Sequence, residues 1–248
     1  MLATRFEQAR QLSRDGKYAD AVPLYEDAAR SAASDDERAR VLAHLSGALK
    51  LIGRHDDAIR SARSAHELAC TIGNSSTEAH AALSLADAML AAFLRVGPEA
   101  PDWSSFDDAM NLLDRSALLY EQLGQVDFAA ALLIAGDTYR AVELFDGAGA
   151  QYQLVIRGLS DSRWASPESL ARHSDYLRGR AFMGMGFVSL HYGFRDKASE
   201  ELDTAVDLLL SGEPRLLRRD LEEIANVFES QLKNPERARI VRAAMRAR

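Results

Sequence analysis

Residues 132–152 read LLIAGDTYRAVELFDGAGAQY, and their spacing decides the class of fold. In the first half, apolar and small residues recur at positions i, i+3, i+4 and i+7, the period of one helix face. These residues are Leu132, Ala135, Gly136 and Tyr139. In the second half, Phe145, Ala148 and Tyr152 mark the face of another helix. The stretch therefore predicts two helices joined by a short turn.

The same arrangement recurs along the chain. A second copy places Met185 and Gly186 in one helix and Ala198 and Leu202 in the next. No stretch shows the sustained two-residue alternation of a strand, so the repeats predict an all-α array. The small residue of each first helix falls at Ala9, Ser46, Ala86, Gly136 and Gly186.

This pattern resembles the tetratricopeptide repeat (TPR), in which Leu-Gly and Tyr stand in the first helix and Ala-x₃-Phe in the second. The resemblance implies a right-handed α-α superhelix, a TPR solenoid of about six helical hairpins. Residues 1–212 would form five hairpins, with inserted loops near 96–103 and 159–166. Residues 213–248 would form a capping helix pair. The steps between units exceed the family's usual ~34 residues, as in the longer repeats of bacterial regulatory TPR proteins.

Two local features of the repeat carry structural predictions. Ala148 and Ala198 should lie where the two helices of a hairpin cross, because a close approach needs a small side chain. Gly16, Gly53 and Gly193 should lie in the turns between helices, with the positive φ that glycine adopts at little cost.

The composition argues against several classes of function. The 248 residues carry a net charge of −7, which disfavours nonspecific nucleic-acid binding. Cys70 is the sole cysteine, so an intrachain disulfide is excluded, and its apolar neighbours predict a buried side chain. The longest uninterrupted apolar stretches fall short of the roughly 20 residues that span a bilayer, and the N-terminus lacks a signal-peptide core. We therefore expect a cytoplasmic protein that does not enter a membrane.

The sequence contains no catalytic or cofactor-binding motif of the P-loop, dinucleotide-loop, HExxH or GxSxG type. It therefore predicts no enzyme activity, no cofactor and no metal site. Residues 235–248 contain five arginines and one acid, Glu236. Because cations suit the C-terminal end of a helix, we expect a capping helix here, with weak nucleic-acid binding as the alternative.

The resemblance also implies where a partner binds. In TPR proteins, ligands usually lie along the concave wall formed by the first helix of each hairpin. Basic residues outnumber acidic ones among the candidates, so the expected partner is a protein or peptide segment with carboxylates and an apolar anchor. For each charged residue taken singly, a solvated helix face is the alternative. The candidates are Phe6, Arg10, Arg14, Arg40, Lys50, His80, Asp87, Asp137, Arg140, Arg180, Phe187 and His191.

One TPR subclass binds acidic chaperone tails through Lys, Asn, Asn, Lys and Arg. The matching positions here hold Phe6, Arg10, His44, His80 and Ser84, which predicts a different partner. The sequence thus favours a protein-interaction module acting as a scaffold, adaptor or regulatory subunit. The alternative is a peptide- or ligand-sensing regulatory TPR protein of a bacterial signalling or transcription system, a type that normally carries an effector domain as well. Whether the chain forms homo-oligomers is left open.

Overall fold

The computed structural model describes residues 2–96, 102–161, 168–211 and 217–247, which form twelve α-helices and no strand. The all-α prediction is therefore confirmed. The helices are α1 (Leu2–Arg14), α2 (Tyr18–Arg30), α3 (Asp35–Leu51), α4 (His55–Ile72), α5 (Ser75–Val96), α6 (Trp103–Gln122), α7 (Phe128–Ala141), α8 (Phe145–Leu159), α9 (Glu168–His191), α10 (Arg195–Ser211), α11 (Leu217–Ser230) and α12 (Pro235–Arg246).

Helices end and begin where the sequence predicts inserted loops. α5 ends at Val96 and α6 begins at Trp103, while α8 ends at Leu159 and α9 begins at Glu168. Most of the two predicted loops, at 97–101 and 162–167, lies outside the described residues.

The turns inside the hairpins share one backbone geometry. Gly16, Gly53 and Gly193 have φ values of 75°, 80° and 80°, which confirms the predicted positive φ. The N–H of Gly53 donates to the carbonyl of Lys50 at 3.0 Å, and the next N–H reaches one carbonyl further back at 2.9 Å. This geometry satisfies carbonyls that a helix C-terminus leaves open. Glu143 holds the same position between α7 and α8, with φ 62°.

The chain forms two compact units, Met1–Ala131 and Leu132–Arg248, called here unit 1 and unit 2. Tyr25 is a large, fully buried side chain in the core of unit 1. In unit 2, Leu202 and Phe228 belong to one cluster to which α9, α10, α11 and α12 all contribute. The last helix pair thus packs within unit 2, and the predicted division of the chain at residue 212 stays a prediction.

Small residues lie at the crossings inside unit 2. Ala148 and Ala198 are fully buried, as their position in the repeat predicts. A Cβ added to Gly136 would lie 2.7 Å from Cε1 of Tyr152, and a Cβ added to Gly184 would overlap the same ring. α7 and α9 therefore carry glycine where they pass Tyr152 of α8, because a side chain would not fit.

One prediction for unit 1 is corrected by the structure. Cys70 is exposed rather than buried, because its neighbour Ala69 takes the inward position and successive helical residues point about 100° apart. Among the described residues, one helix, α5, is long and apolar enough to span a bilayer by length and composition, with a mean hydropathy of 1.4. A search of the sequence for uninterrupted apolar runs does not detect this helix, because polar residues interrupt it. Here α5 packs against α3, α4 and α6.

Candidate partner-binding surfaces

A row of rings crosses the first helices of unit 1. The Phe6 ring of α1 lies 5.3 Å from the His44 ring of α3, and His44 lies 4.9 Å from His80 of α5. Tyr25 of α2 packs beside both Phe6 and His44, at 6.0 and 6.2 Å between centroids. We call Phe6, Tyr25, His44 and His80 the ring row. Each of the three first helices, α1, α3 and α5, contributes one ring to it, and α2 contributes Tyr25.

Both histidines of the ring row are held in the neutral form. Burial lowers the pKa of His44 to about 3, and the charges of His80, Arg10, Arg14 and Arg40 act in the same direction. Burial also lowers the pKa of His80, against the raising influence of Asp127. The positive charge beside the ring row is therefore carried by guanidinium groups and not by imidazole.

Among the described residues, Arg10 and Arg40 form their ion pairs with acids of their own helices. Arg10 stacks over Phe6 at 5.7 Å and pairs with Glu7 at 2.9 Å, three residues away on the same helix. Arg40 pairs with Asp36 at 3.0 Å, four residues away. Exposed pairs of this kind stabilise a helix by only about 0.2–0.5 kcal/mol. Their charges remain accessible to another carboxylate.

Lys50 and Asp87, both predicted partner-binding residues, lie on α3 and α5 and form an ion pair with each other. Each side chain is about a quarter to a third exposed, at 23% and 30%. The pair links two first helices of unit 1. Its net charge is zero, so it adds nothing to the positive potential near the ring row.

Unit 2 contains a half-buried ionic network on its first helices. Arg180 of α9 donates to Asp137 of α7 at 2.6 Å and lies 3.7 Å from Asp220 of α11. The hydroxyl of Tyr152 also donates to Asp137, at 2.7 Å. Burial raises the pKa of Asp220, while Arg180 opposes that effect. The guanidinium of Arg180 is thus shared between two carboxylates of the neighbouring helices.

A cavity of about 400 Å³ opens near the ends of these helices in unit 2. Arg140 crosses it, stacked over the Phe187 ring at 4.8 Å and 3.8 Å from Glu223 of α11. The His191 ring stacks on Phe145 of α8 at 3.6 Å. We call this space the turn-edge cavity. It is lined by Arg140, Ala141, Glu143, Phe145, Phe187, Leu190, His191, Glu223, Val227 and Gln231.

The structure brings most of the predicted residues together, within each unit. Phe6, Arg10, Arg14, Arg40 and His80 gather at the ring row. In unit 2 the gathered residues are Asp137 and Arg180 in the network, and Arg140, Phe187 and His191 at the cavity. Whether any of them binds a partner stays a prediction.

Sequence reasoning missed the acids of α11. Asp220 and Glu223 stand at i and i+3 of one helix face and reach Arg180 and Arg140. The i, i+3 spacing of these two acids was visible in the sequence. However, α11 was predicted to belong to a cap, and this prediction did not place it against α7 and α9. Glu143 was also missed, since only a glycine signals this turn position from sequence.

Known proteins match this chain in structure only. No family model and no curated protein matches it. Among solved structures, nearly identical TPR-like repeats from Podosopora anserina, in a protein named as a kinesin light chain, align at TM-score 0.59 and 16% identity, covering 84% of this chain and 94% of that one. BtubC from P. vanneervenii aligns at TM-score 0.60 and 18% identity, with coverage of 81% and 76%.

A third solved structure is a Signal Transduction ATPase with Numerous Domains from Pyrococcus horikoshii, which has a tetratricopeptide repeat sensor. It aligns at TM-score 0.61 and 14% identity, covering 92% of this chain and 35% of that one. At such identities the likeness concerns the fold alone.

Proposed function

Since the chain folds as a divergent TPR-type array of helical hairpins, we propose that it is a protein-interaction module, acting as a scaffold, adaptor or regulatory subunit in the cytoplasm. Its role is to bind, with no catalytic step. Its partner is an acidic segment with an apolar anchor, held at the ring row of unit 1. The observation that carries the proposal is the ring row itself, with Arg10 stacked over Phe6 at 5.7 Å and paired only with the exposed Glu7 among the described residues.

The chemistry of the ring row suits such a segment. α1 and α3 supply Arg10, Arg14 and Arg40, whose positive charges all lower the pKa of His44, and guanidinium pairs with carboxylate through two parallel hydrogen bonds. Three of the neutral rings, those of Phe6, His44 and His80, are partly exposed and offer flat apolar surface on which a large side chain can rest. Glu7 and Asp36, the present partners of Arg10 and Arg40, are exposed and cost little to displace.

Unit 2 is less suited to an acidic segment. Arg180 is already shared between Asp137 and Asp220, and Arg140 lies against Glu223. Removing these half-buried guanidiniums from their carboxylates would leave uncompensated charges in a partly desolvated setting. We therefore assign the acidic partner to unit 1 and not to unit 2.

A peptide-display selection on the full chain tests this function. We expect enrichment of sequences that combine Asp or Glu with a large apolar residue, and loss of their binding in the double variant Arg10→Glu, Arg14→Glu. The matched control is Arg30→Glu, Arg60→Glu, which makes the same change in charge on the second helices α2 and α4, at side chains 69% and 72% exposed.

The control should keep the selected peptides bound, because its arginines lie away from the ring row. Circular dichroism should show the same helix content for both variants. Selected peptides without acidic bias, or equal loss of binding in the two double variants, would refute the assignment to the ring row.

A further inference from the structure

The turn-edge cavity of unit 2 has the opposite charge character from the ring row. One cation, Arg140, faces two carboxylates, Glu143 and Glu223, among its lining residues. Ala141 and His191, the last residues of α7 and α9, also line it. Helix C-termini carry partial negative charge and N-termini partial positive charge, so the two ends of α7 and α9 outweigh the start of α8 at Phe145. The cavity therefore favours a positively charged group over a negative one.

Arg140 shows how the cavity holds a guanidinium group. Its charge lies over the Phe187 ring at 4.8 Å and 3.8 Å from a carboxylate oxygen of Glu223. Aromatic faces attract cations, and the attraction grows as water is excluded. Space of about 400 Å³ remains open beside this arrangement. The second aromatic surface, the Phe145–His191 stack, and the second carboxylate, Glu143, both line that space.

Exposed apolar side chains lie in the two hairpin turns that adjoin lining residues in the sequence. Leu144 is 47% exposed in one hairpin turn, and Tyr192 and Phe194 are 45% and 60% exposed in the next. The two turns are joined by the Tyr192 hydroxyl, which donates to Asp146 at 2.5 Å. Large apolar side chains gathered beside a cavity are typical of a protein-binding surface.

Glu143 also has an uncommon backbone conformation, shared among the described non-glycine residues by Lys233 with φ 57°. Glu143 holds a positive φ of 62° at the turn position where three other hairpins have Gly16, Gly53 and Gly193. A side chain in this left-handed conformation costs free energy, and such strain is retained mainly where the side chain has a use. Here the side chain of Glu143 places a carboxylate among the residues that line the cavity.

We propose that the turn-edge cavity binds the arginine or lysine side chain of a basic peptide segment, with an adjacent aliphatic residue resting on Leu144 and Phe194. The guanidinium or ammonium group lies between the carboxylates of Glu143 and Glu223, against the Phe145–His191 stack. This site is separate from the ring row and selects the opposite charge. The chain thereby carries two surfaces of different chemistry, one in each unit.

Fluorescence anisotropy with three labelled pentapeptides tests the proposal on the full chain. The probe is Ala-Leu-Arg-Leu-Ala, and the comparison peptides replace its arginine by citrulline, which has nearly the same shape without the charge, or by glutamate. We expect the arginine peptide to bind saturably and the citrulline peptide to bind about tenfold more weakly, the loss typical of a charge-assisted contact. The glutamate peptide should bind still more weakly.

The double variant Glu143→Gln, Glu223→Gln should weaken the arginine peptide by about tenfold or more and leave the citrulline peptide unchanged. The matched control, Glu200→Gln, Glu236→Gln, removes the same charge from exposed sites of unit 2 and should bind like the unmodified chain. The Arg10→Glu, Arg14→Glu variant should also bind normally, which separates this site from the ring row.

Equal affinity for the arginine and citrulline peptides would overturn the proposal. So would no detectable binding of the arginine peptide at about 1 mM, or equal losses in the two glutamine double variants. The citrulline comparison uses the unmodified chain, so the test stands even if a variant fails to fold.

Discussion

His44 lies among three rings, and its burial and the charges of Arg10, Arg14 and Arg40 disfavour its protonation. In the folded chain its pKa is about 3, whereas a free imidazole has a pKa of about 6.5. Below about pH 6.5 the unfolded chain therefore takes up a proton that the folded chain does not. Acid then favours unfolding, and the effect is complete near pH 3.

We predict that unit 1 loses about 1–2 kcal/mol of stability through His44 between about pH 7 and pH 5. The variant His44→Phe keeps a ring between Phe6 and His80 and should lack this loss. Urea midpoints measured at the two pH values check it, with His44→Gln as a second variant that cannot titrate. An equal drop with pH in the wild type and both variants would contradict the prediction.

The sequence predicts which helices carry the residues around His44, but not which of these residues are in contact. The spacing of the repeat placed Arg10, Arg14 and His80 on first helices, because helical periodicity is a local property. The contact between His44 and His80 depends on the lateral register of α3 and α5, which lie far apart in sequence. For the same reason, the pairing of Arg180 with Asp220 was not foreseeable.

At the scale of elements, the hairpin turns differ at one position. Gly53 has φ 80°, and a Cβ added there would meet nothing within 4 Å. Glycine is therefore favoured at this position by the backbone conformation and not by a lack of space for a side chain. Sequence predicted this turn from its glycine, and missed the equivalent one at Glu143 because glutamate gives no such signal. The turns are thus predictable from residue type only where the residue is the favoured one.

We predict that Glu143→Gly stabilises unit 2 by about 0.5–1 kcal/mol, since the relief of left-handed strain exceeds the added chain entropy of glycine. The reciprocal change, Gly53→Glu, should destabilise unit 1 by a similar amount. Thermal midpoints of both variants provide the measurement. If Glu143 also holds a ligand cation, Glu143→Gly should gain stability and lose affinity for the arginine peptide. Destabilisation by Glu143→Gly would show that its side chain contributes more than its backbone costs.

At the scale of the whole molecule, two of the five C-terminal arginines, Arg237 and Arg242, pair with acids inside unit 2. Arg237 lies 2.6 Å from Asp203, and Arg242 lies 3.0 Å from Glu222 and 2.8 Å from Glu229. Ala238 and Val241 of α12, in the segment predicted to cap the array, are fully buried. The acids that pair with Arg237 and Arg242 came from α10 and α11, which composition alone could not show.

We predict that the chain, with a net charge of −7, does not shift a short DNA duplex in a gel at about 0.15 M salt. Deleting 235–248 should lower the thermal midpoint, because burial of Val241 alone contributes about 1.5–3 kcal/mol. A shift at that salt concentration that disappears with the deletion would show that the arginines bind phosphate instead of capping the unit.

Tyr152 has a further consequence for how this sequence can diverge. Its ring fills the space that a side chain at Gly136 or Gly184 would need, so three positions on three helices share one volume. Residues 136, 152 and 184 therefore cannot be substituted independently of one another. An alanine at 136 or 184 is tolerated only after residue 152 has become smaller, and the reverse order passes through an overpacked intermediate. Substitutions here should therefore accumulate in a fixed historical order, and related chains should show a large residue at 152 only together with glycine at both other sites.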